Sequence, residues 1–357
     1  MTELRWDWGT AYDFFASLYV LHHPQDFGLR RAWAAGVRAR LSEEARRTLE
    51  ILTRAFPLPL PWVAHLPAPK NAATALAALE AYPPAQRLPR LFRAPDVPQE
   101  ALAVYERVAR QAAWDEEDLT RLQQALADLP QPPRKAALVQ RLDAWAHAAT
   151  FGIALVQALQ EYHRAFFVEE EERLVPLLQE ALHTAQVQAA QLALHDLLIH
   201  LTQGVRLPEA ETVTRLTLAP SFWLAPLVVF RRTGEGEGLL IFGARPPGTA
   251  LIPGEEVPDA LLRGLRALAD PTRLRILRYL SERPHTPSQL ARRLRLRPPT
   301  VVHHLHALRL AGLVYLSLED GERRYAARRE QIAALWAQLE AFFRQDPADG
   351  APLSAEE

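Results

Sequence analysis

The sequence predicts a mostly α-helical protein that also contains a small antiparallel β-sheet and a compact C-terminal module. Three observations support this fold class. Apolar residues recur at helical spacing through residues 1–204, with proline-rich stretches between the periodic segments. Within residues 205–250 the pattern changes to short strand-like segments, of which residues 212–218 alternate at period two. Beyond residue 258, helix-capping residues and a glycine stop define a series of short helices with clear ends.

The composition is that of a globular protein with several cores. The 357 residues are enough for two or three domains, and 49% of them are hydrophobic and 23% charged. No run of 18 apolar residues and no signal-peptide pattern occurs, so we expect a cytoplasmic protein that makes no membrane contact. The sequence contains no cysteine, which excludes disulfides, cysteine-ligated metal sites and a cysteine nucleophile.

The N-terminal helices are predicted from their apolar stripes. The clearest stripe consists of Tyr12, Phe15, Leu18 and Leu21. Further helices are predicted near residues 29–40, 43–55, 71–81, 99–113 and 116–129, and as two or three longer helices within 134–203. Proline-rich breaks are expected at 57–62, 82–89 and 129–133, and Pro176 is expected to end or kink a helix.

The segment 205–250 is predicted to form a small antiparallel sheet that completes the N-terminal region. Residues 212–218 alternate and are rich in β-branched side chains. Residues 227–231 and 239–242 read as two further strands, joined by the glycine-rich turn at 233–238. The economical arrangement of these strands is a meander. The proline- and glycine-rich residues 246–258 are then expected to be a linker.

Charge is distributed unevenly along the chain. Residues 261–330 carry 15 arginines and 6 acidic residues, a balance of +9, whereas the rest of the chain carries a balance of −10. A compact basic block on an acidic chain indicates a module that binds a polyanion, and a solvated helical surface is the alternative. The motifs within the block have to decide between these two interpretations.

The C-terminal module, residues 258–345, shows the signals of a winged helix-turn-helix. Asp270-Pro271 starts one helix, and Thr286-Pro-Ser-Gln289 is a capping box that starts the next. A third helix follows the turn at 295–297 and ends at Gly312. Residues 313–327 are predicted to form a β-hairpin with its turn at 319–322, before a last amphipathic helix and a flexible tail at 346–357.

These motifs resemble the ArsR-type family of winged-helix repressors. The resemblance is carried by LRALADPTRLRILRYL (265–280), TPSQLARRL (286–294), PTVVHHLHALRLAGLV (299–314) and GERRY (321–325). It implies bacterial transcription regulation by a dimer whose interface is formed by the module's first and last helices, here 259–269 and 330–344. The segment LTLAPSFWLAPLVVF (216–230) resembles a pattern of longer, actinobacterial-type members and implies an α+β domain.

The chain departs from the family in two places. The family's metal sensors place cysteines in the helix before the recognition helix, and here that helix, TPSQLARRL, has none. Thiolate sensing of arsenic, cadmium or zinc is therefore excluded. Val302 stands where the family often has a small polar residue, so base reading at this position stays open.

Three histidines within four positions of the third helix allow three interpretations: a metal site, a DNA-reading surface or part of a packed helix. A helical wheel places His303 and His306 opposite the apolar side, and His304 on the flank. A metal site needs three or four converging ligands, whereas positions i and i+3 supply two. DNA contact by the two outward histidines is the interpretation that the pattern favours.

Ten residues are predicted to contact double-stranded DNA. Two lie on the helix before the recognition helix, six on the recognition helix or in the turn that precedes it, and two in the wing. In chain order they are Arg292, Arg293, Arg297, Thr300, Val302, His303, His306, Arg309, Arg323 and Arg324. Each arginine taken alone could also be solvated surface.

The predicted function is that of a sequence-specific DNA-binding regulator, acting as a dimeric repressor. The N-terminal region is expected to sense a small-molecule effector or to extend the dimer. No catalytic constellation occurs, and the paired histidines at 22–23 and those at 195 and 200 are interpreted as core or surface residues. We therefore expect no enzyme activity, no cofactor and no metal. The alternative is a scaffold protein that uses its winged helix for protein contacts.

Overall fold

The structure, a computed structural model, describes residues 2–27, 29, 31–92, 97–129, 132–246, 258–319 and 322–344. It forms two compact units. The first draws on Met1–Thr202 and Leu207–Arg245, and the second on Gln203–Arg206 and Pro246–Glu357. The predicted tail, most of the predicted linker and the central residues of the wing turn lie outside the described residues.

The first unit is mainly helical, which confirms the predicted class. Its first six helices are α1 (Thr10–His22), α2 (Arg31–Ala39), α3 (Glu43–Ala55), α4 (Leu60–Ala64), α5 (Ala72–Ala81) and α6 (Pro84–Phe92). The next seven are α7 (Gln99–Gln111), α8 (Glu116–Ala125), α9 (Lys135–Ala146), α10 (Ala148–Tyr162), α11 (Val168–Ala189), α12 (Leu194–Leu201) and α13 (Pro208–Glu211). A π-helical turn, His163–Phe167, joins α10 to α11.

Proline positions produced the errors in the helix prediction. Helix α6 occupies most of the expected break at 82–89, and Pro84 is its first residue. A proline is tolerated there because the N–H of a first helical residue has no acceptor within the helix. Helix α4 likewise begins inside the expected break at 57–62. Pro176 does not end a helix, since α11 continues past it to Ala189.

The sheet of the first unit is mixed, so the predicted antiparallel meander is wrong. Its strands are β1 (Glu3–Trp6), β2 (Arg215–Ser221), β3 (Val229–Gly234) and β4 (Glu237–Gly243). They lie in the order β1-β2-β4-β3, with β1–β2 and β2–β4 parallel. The predicted glycine turn does join β3 to β4 as an antiparallel pair.

A buried carboxylate stabilises the connection that separates β2 from β3. Asp13 on α1 is fully buried and accepts hydrogen bonds from Ser221 Oγ at 2.6 Å, Phe222 N at 3.1 Å and Trp223 N at 2.8 Å. Burial raises the pKa of Asp13 to about 6, although these hydrogen bonds oppose the shift. This contact fixes the chain where it leaves β2, and Phe222 and Trp223 are both fully buried.

The second unit contains the predicted winged helix-turn-helix. Its elements are α14 (Asp259–Leu268), α15 (Pro271–Glu282), α16 (Pro287–Leu294), α17 (Pro298–Leu310), β5 (Val314–Glu319), β6 (Glu322–Ala327) and α18 (Arg329–Arg344). Strands β5 and β6 pair antiparallel as the wing. None of the helices in the described part of the chain is long and apolar enough to cross a bilayer.

The predicted helix caps form in this unit. The Asp270 carboxylate accepts a hydrogen bond from Arg273 N at 2.8 Å, and Thr286 and Gln289 close a reciprocal capping box. Gly312 takes the left-handed conformation, with φ of +71°, that glycine adopts without strain. Because caps are encoded by neighbouring residues, the sequence predicts these helix ends closely.

Candidate nucleic-acid interface

Helix α17 has one buried side and one exposed side. Its side chains Val301, Leu305 and Leu308 are fully buried in the core of the unit. Among the predicted contacts on this helix, the exposed ones are Thr300, Val302, His303 and His306. Val302 is 46% exposed, which is unusual for a valine and places an isopropyl group on the outer surface beside hydroxyl and imidazole groups. This combination of apolar and hydrogen-bonding groups is suited to contacts with base edges.

His304 occupies the flank of α17, between the buried and exposed sides. Its side chain is 15% exposed, and its Nδ1 lies 3.8 Å from the carboxylate of Asp270. Burial lowers the pKa of His304, and the neighbouring carboxylate opposes that shift. The rings of His303 and His304 lie 6.1 Å apart. Over the described residues, no group of three or more histidine or acidic side chains converges as metal ligands would.

Arg309 is half-buried, unlike the exposed predicted contacts earlier on α17. It lies in the second half of α17, near Tyr325 and Arg323 of the wing, and burial lowers the pKa of its guanidinium. Its aliphatic stem can contact apolar neighbours while the charge stays near the surface. Arg309 therefore adds positive charge to α17 close to β6.

The two wing arginines face opposite sides of their strand. Arg323 and Arg324 are adjacent in β6, and adjacent side chains on a strand point in opposite directions. Arg323 lies on the side of Arg309 and Tyr325, whereas Arg324 faces helix α16 and lines a cleft there. Arg324 also makes an ion pair with Glu322 at 3.4 Å. The sequence groups the two arginines, and the structure assigns them to different surfaces.

The remaining predicted arginines are exposed. Arg297 precedes α17, and its carbonyl accepts hydrogen bonds from Thr300 N and Val301 N. Arg292 and Arg293 lie on α16, where the Arg293 guanidinium stands over the Tyr279 ring at 5.4 Å. Charged side chains thus surround α17 on both sides, and such side chains bind phosphates while a central helix contacts bases.

A cleft beside α16 contains residues that the sequence did not single out. Its volume is about 500 Å³, and its lining consists of Arg283, Pro284, His285, Gln289, Arg292, Arg293 and Arg324. His285 is 2% exposed and pairs as a single β-bridge with Tyr325 of β6. That pairing joins residues forty positions apart, so only the density of arginines signals the cleft in the sequence.

Comparison with known proteins finds relatives of the second unit. The model of the bacterial regulatory protein arsR family matches residues 270–315. Over 81 residues the chain is 44% identical to the HTH-type transcriptional regulator CmtR of Mycobacterium bovis and to that of Mycobacterium tuberculosis, covering 23% of this chain and 69% of each relative. A crystal structure of an ArsR family transcriptional regulator is 32% identical, with 24% of this chain and 90% of that one covered and a TM-score of 0.23.

Proposed function

The chain belongs to the ArsR family of bacterial regulatory proteins, and we propose that it represses transcription as a dimer that binds a specific operator. Family membership confirms the resemblance predicted from the motifs within 265–314 and supports a DNA-binding transcriptional regulator. The observation that carries the finer proposal is the exposed side of α17, opposite a fully buried apolar side and flanked by arginines. The protein acts on DNA in the cytoplasm and is not an enzyme.

The ten predicted DNA contacts divide into two groups. Thr300, His303 and His306 present hydrogen-bonding groups to base edges in the major groove. Val302 at the same surface provides an apolar contact suited to the methyl group of thymine. The six arginines, which lie on α16, in the turn before α17, near the end of α17 and in the wing, bind phosphates and fix the position of the helix without reading sequence.

The proposed dimer is supported by apolar side chains that α18 leaves exposed. Trp336 is 54% exposed and Phe343 is 75% exposed, whereas Leu335 of the same helix packs on Gly264 of α14. Large exposed aromatic side chains are typical of interaction surfaces. A dimer through α14 and α18 presents two recognition helices, so we expect a pseudo-palindromic operator with half-sites about one helical turn apart.

The N-terminal unit is proposed to control this dimer. An effector bound there changes DNA affinity only if it favours one of two arrangements of the recognition helices.

The proposal is tested by sequencing the genomic DNA that the purified full-length protein retains. We expect enrichment of a few inverted-repeat sites, and retardation of those sites by a species with the mass of a dimer plus DNA. Uniform retention of all fragments, or tight capture of a partner protein with no DNA retained, would contradict the proposal. The second result would instead support a scaffold that uses its winged helix for protein contacts.

A further inference from the structure

We propose that the cleft beside α16 binds a phosphate group that carries a proton, either inorganic phosphate or a phosphomonoester. The cleft lies between α16, strand β6 and residues 283–285, all within the second unit. Its volume of about 500 Å³ is within the range of small-molecule sites. The proposed site itself is independent of the proposed DNA-binding function, and only its effect on DNA rests on that function.

The charge of the cleft selects an anion. Four of its seven lining residues are arginines, contributed by the loop (Arg283), the helix (Arg292 and Arg293) and the wing (Arg324). Glu322 offsets part of this charge through its ion pair with Arg324. Guanidinium groups that come from three different elements can donate to several oxygens of one tetrahedral anion, as phosphate sites require.

His285 supplies the specificity of the proposed site. Its Nδ1 lies 2.8 Å from the carbonyl of Arg283, and because a carbonyl only accepts, Nδ1 is the protonated nitrogen. When the ring is neutral, Nε2 is then the acceptor. Nε2 is shielded from solvent and has no hydrogen-bond partner among the residues that the structure describes. A buried acceptor without a donor is destabilising, so a ligand that donates to it gains free energy.

A protonated phosphate matches both features at once. Its oxygens accept hydrogen bonds from the guanidinium groups, and its hydroxyl donates to Nε2 without adding a positive charge to a cleft that already holds four. Inorganic phosphate near neutral pH and a phosphomonoester monoanion carry such a hydroxyl. Sulfate and the phosphodiesters of DNA do not. Because Nε2 is shielded from solvent, the proposal requires a side chain of the cleft wall to move before the ligand reaches this atom.

Occupation of the cleft should weaken DNA binding. Arg292, Arg293 and Arg324 line the cleft and are also predicted phosphate contacts. A bound dianion neutralises part of this charge, and DNA affinity depends steeply on the number of phosphates neutralised. Phosphate would then act on the same unit that binds DNA, in addition to any effector of the N-terminal unit.

The site is tested by titrating the full-length protein with inorganic phosphate, glycerol phosphate and sulfate at constant ionic strength, using calorimetry. We expect phosphate to bind about tenfold more tightly than sulfate, because its hydroxyl adds one hydrogen bond, to Nε2 of His285, and one such bond to a charged group changes affinity by about this factor. Glycerol phosphate distinguishes a site for esters from a site for the free ion. Equal affinity for phosphate and sulfate would overturn the role of His285, and no phosphate binding at millimolar concentrations would overturn the site.

Arg283→Gln is the diagnostic variant, because Arg283 is exposed, lines the cleft and is not a predicted DNA contact. It should weaken phosphate binding about tenfold. Arg275→Gln removes the same charge from an exposed position on α15 outside the cleft and should leave binding unchanged. Equal losses in both variants would show general attraction of anions and contradict the site.

DNA retardation measured with phosphate or sulfate at equal ionic strength tests the regulatory effect. We expect phosphate to weaken retardation of the wild-type protein more than sulfate does, and this difference to disappear in Arg283→Gln. If DNA binds but phosphate has no greater effect than sulfate, the regulatory effect fails while the proposed function stands. If phosphate binds but no DNA is retained, the proposed function fails while the site stands.

Discussion

The two units of the molecule differ in how their key contacts are encoded. In the first unit, the Asp13 carboxylate of α1 holds residues more than two hundred positions away, and the strand at the start of the chain pairs in parallel with β2. In the second unit, helix ends are set by residues three positions apart, such as Thr286 and Gln289. Both units have an apolar core. In the first unit, polar contacts between distant residues also fix the chain, whereas in the second unit the polar contacts that set the helix ends are local.

Replacing Asp13 should have the largest effect on stability, because it removes the distant polar contacts of the first unit. Asp13→Ala leaves two backbone N–H groups and one hydroxyl without their acceptor, in a fully buried position. We expect a loss on the order of 4 kcal/mol in the free energy of unfolding, since each unsatisfied buried donor is destabilising. Seven of the eight tryptophans lie in the first unit, so tryptophan fluorescence in urea reports it. Asp26→Ala, at an exposed position, is the control and should change little.

A core substitution in α17 tests the second unit. Leu305→Ala removes a fully buried side chain and should destabilise the unit by about 3 kcal/mol, with loss of DNA binding. Hydrogen exchange measured peptide by peptide should show faster exchange in α15 to α17 and unchanged exchange around Asp13. Leu274→Ala, at a leucine that is 50% exposed, is the matched control. Equal acceleration in both variants would contradict the core assignment.

Substitutions of the wing arginines should have a smaller effect, which appears in the salt dependence of DNA affinity. Because Arg323 and Arg324 leave β6 on opposite sides, we expect their substitutions by alanine to act additively. The double variant should lower the slope of log affinity against log salt by about 2, one for each lost phosphate contact. Salt titrations of DNA retardation measure this slope. The double variant of Arg275 and Arg278, exposed on α15, should keep the wild-type slope. An unchanged slope in the wing variant would remove the wing from the interface.

The pH dependence of stability gives a smaller effect in the first unit. Burial raises the pKa of Asp13 from 3.8 to about 6, so the folded state binds this proton more tightly than the unfolded chain. The associated stability is fully present below about pH 3.8 and is lost as the pH rises through about 6. The stability difference between wild type and Asp13→Asn should therefore be larger at pH 5 than at pH 7.5, by about 1 kcal/mol. Urea unfolding at the two pH values measures it, and a smaller difference at pH 5 would contradict the shift.

Sequence reasoning succeeded where local chemistry decides the structure. The capping box at Thr286, the stop at Gly312 and the apolar stripe of α17 lie within short windows, and the winged helix follows from their order. It failed where distant residues decide. The strand β1 and the position of β3 beyond β4 depend on pairings across the whole first unit. The break predicted at 82–89 was wrong because proline also occurs at the first position of a helix, as Pro84 does in α6.

The candidate interface was predictable to a similar extent. Helical periodicity placed His303 and His306 outward and His304 on the flank, and the structure shows the same positions. Periodicity could not show which surface each wing arginine faces: Arg323 lies on the side of Arg309 and Tyr325, whereas Arg324 lines the cleft beside α16. It also missed Arg283 and His285, because the cleft exists only once residue 285 pairs with Tyr325.

We propose that the exposed side of α17 reads the operator sequence, and selection of binding sites from random DNA tests this role. His303→Ala and Val302→Ala should each relax base preference at a position of the selected site, by about 1 kcal/mol, with a thymine preference lost in the second. His304→Ala, on the flank of the same helix, should keep the wild-type site. If both outer-face variants select the wild-type site with unchanged preferences, α17 does not read DNA as proposed.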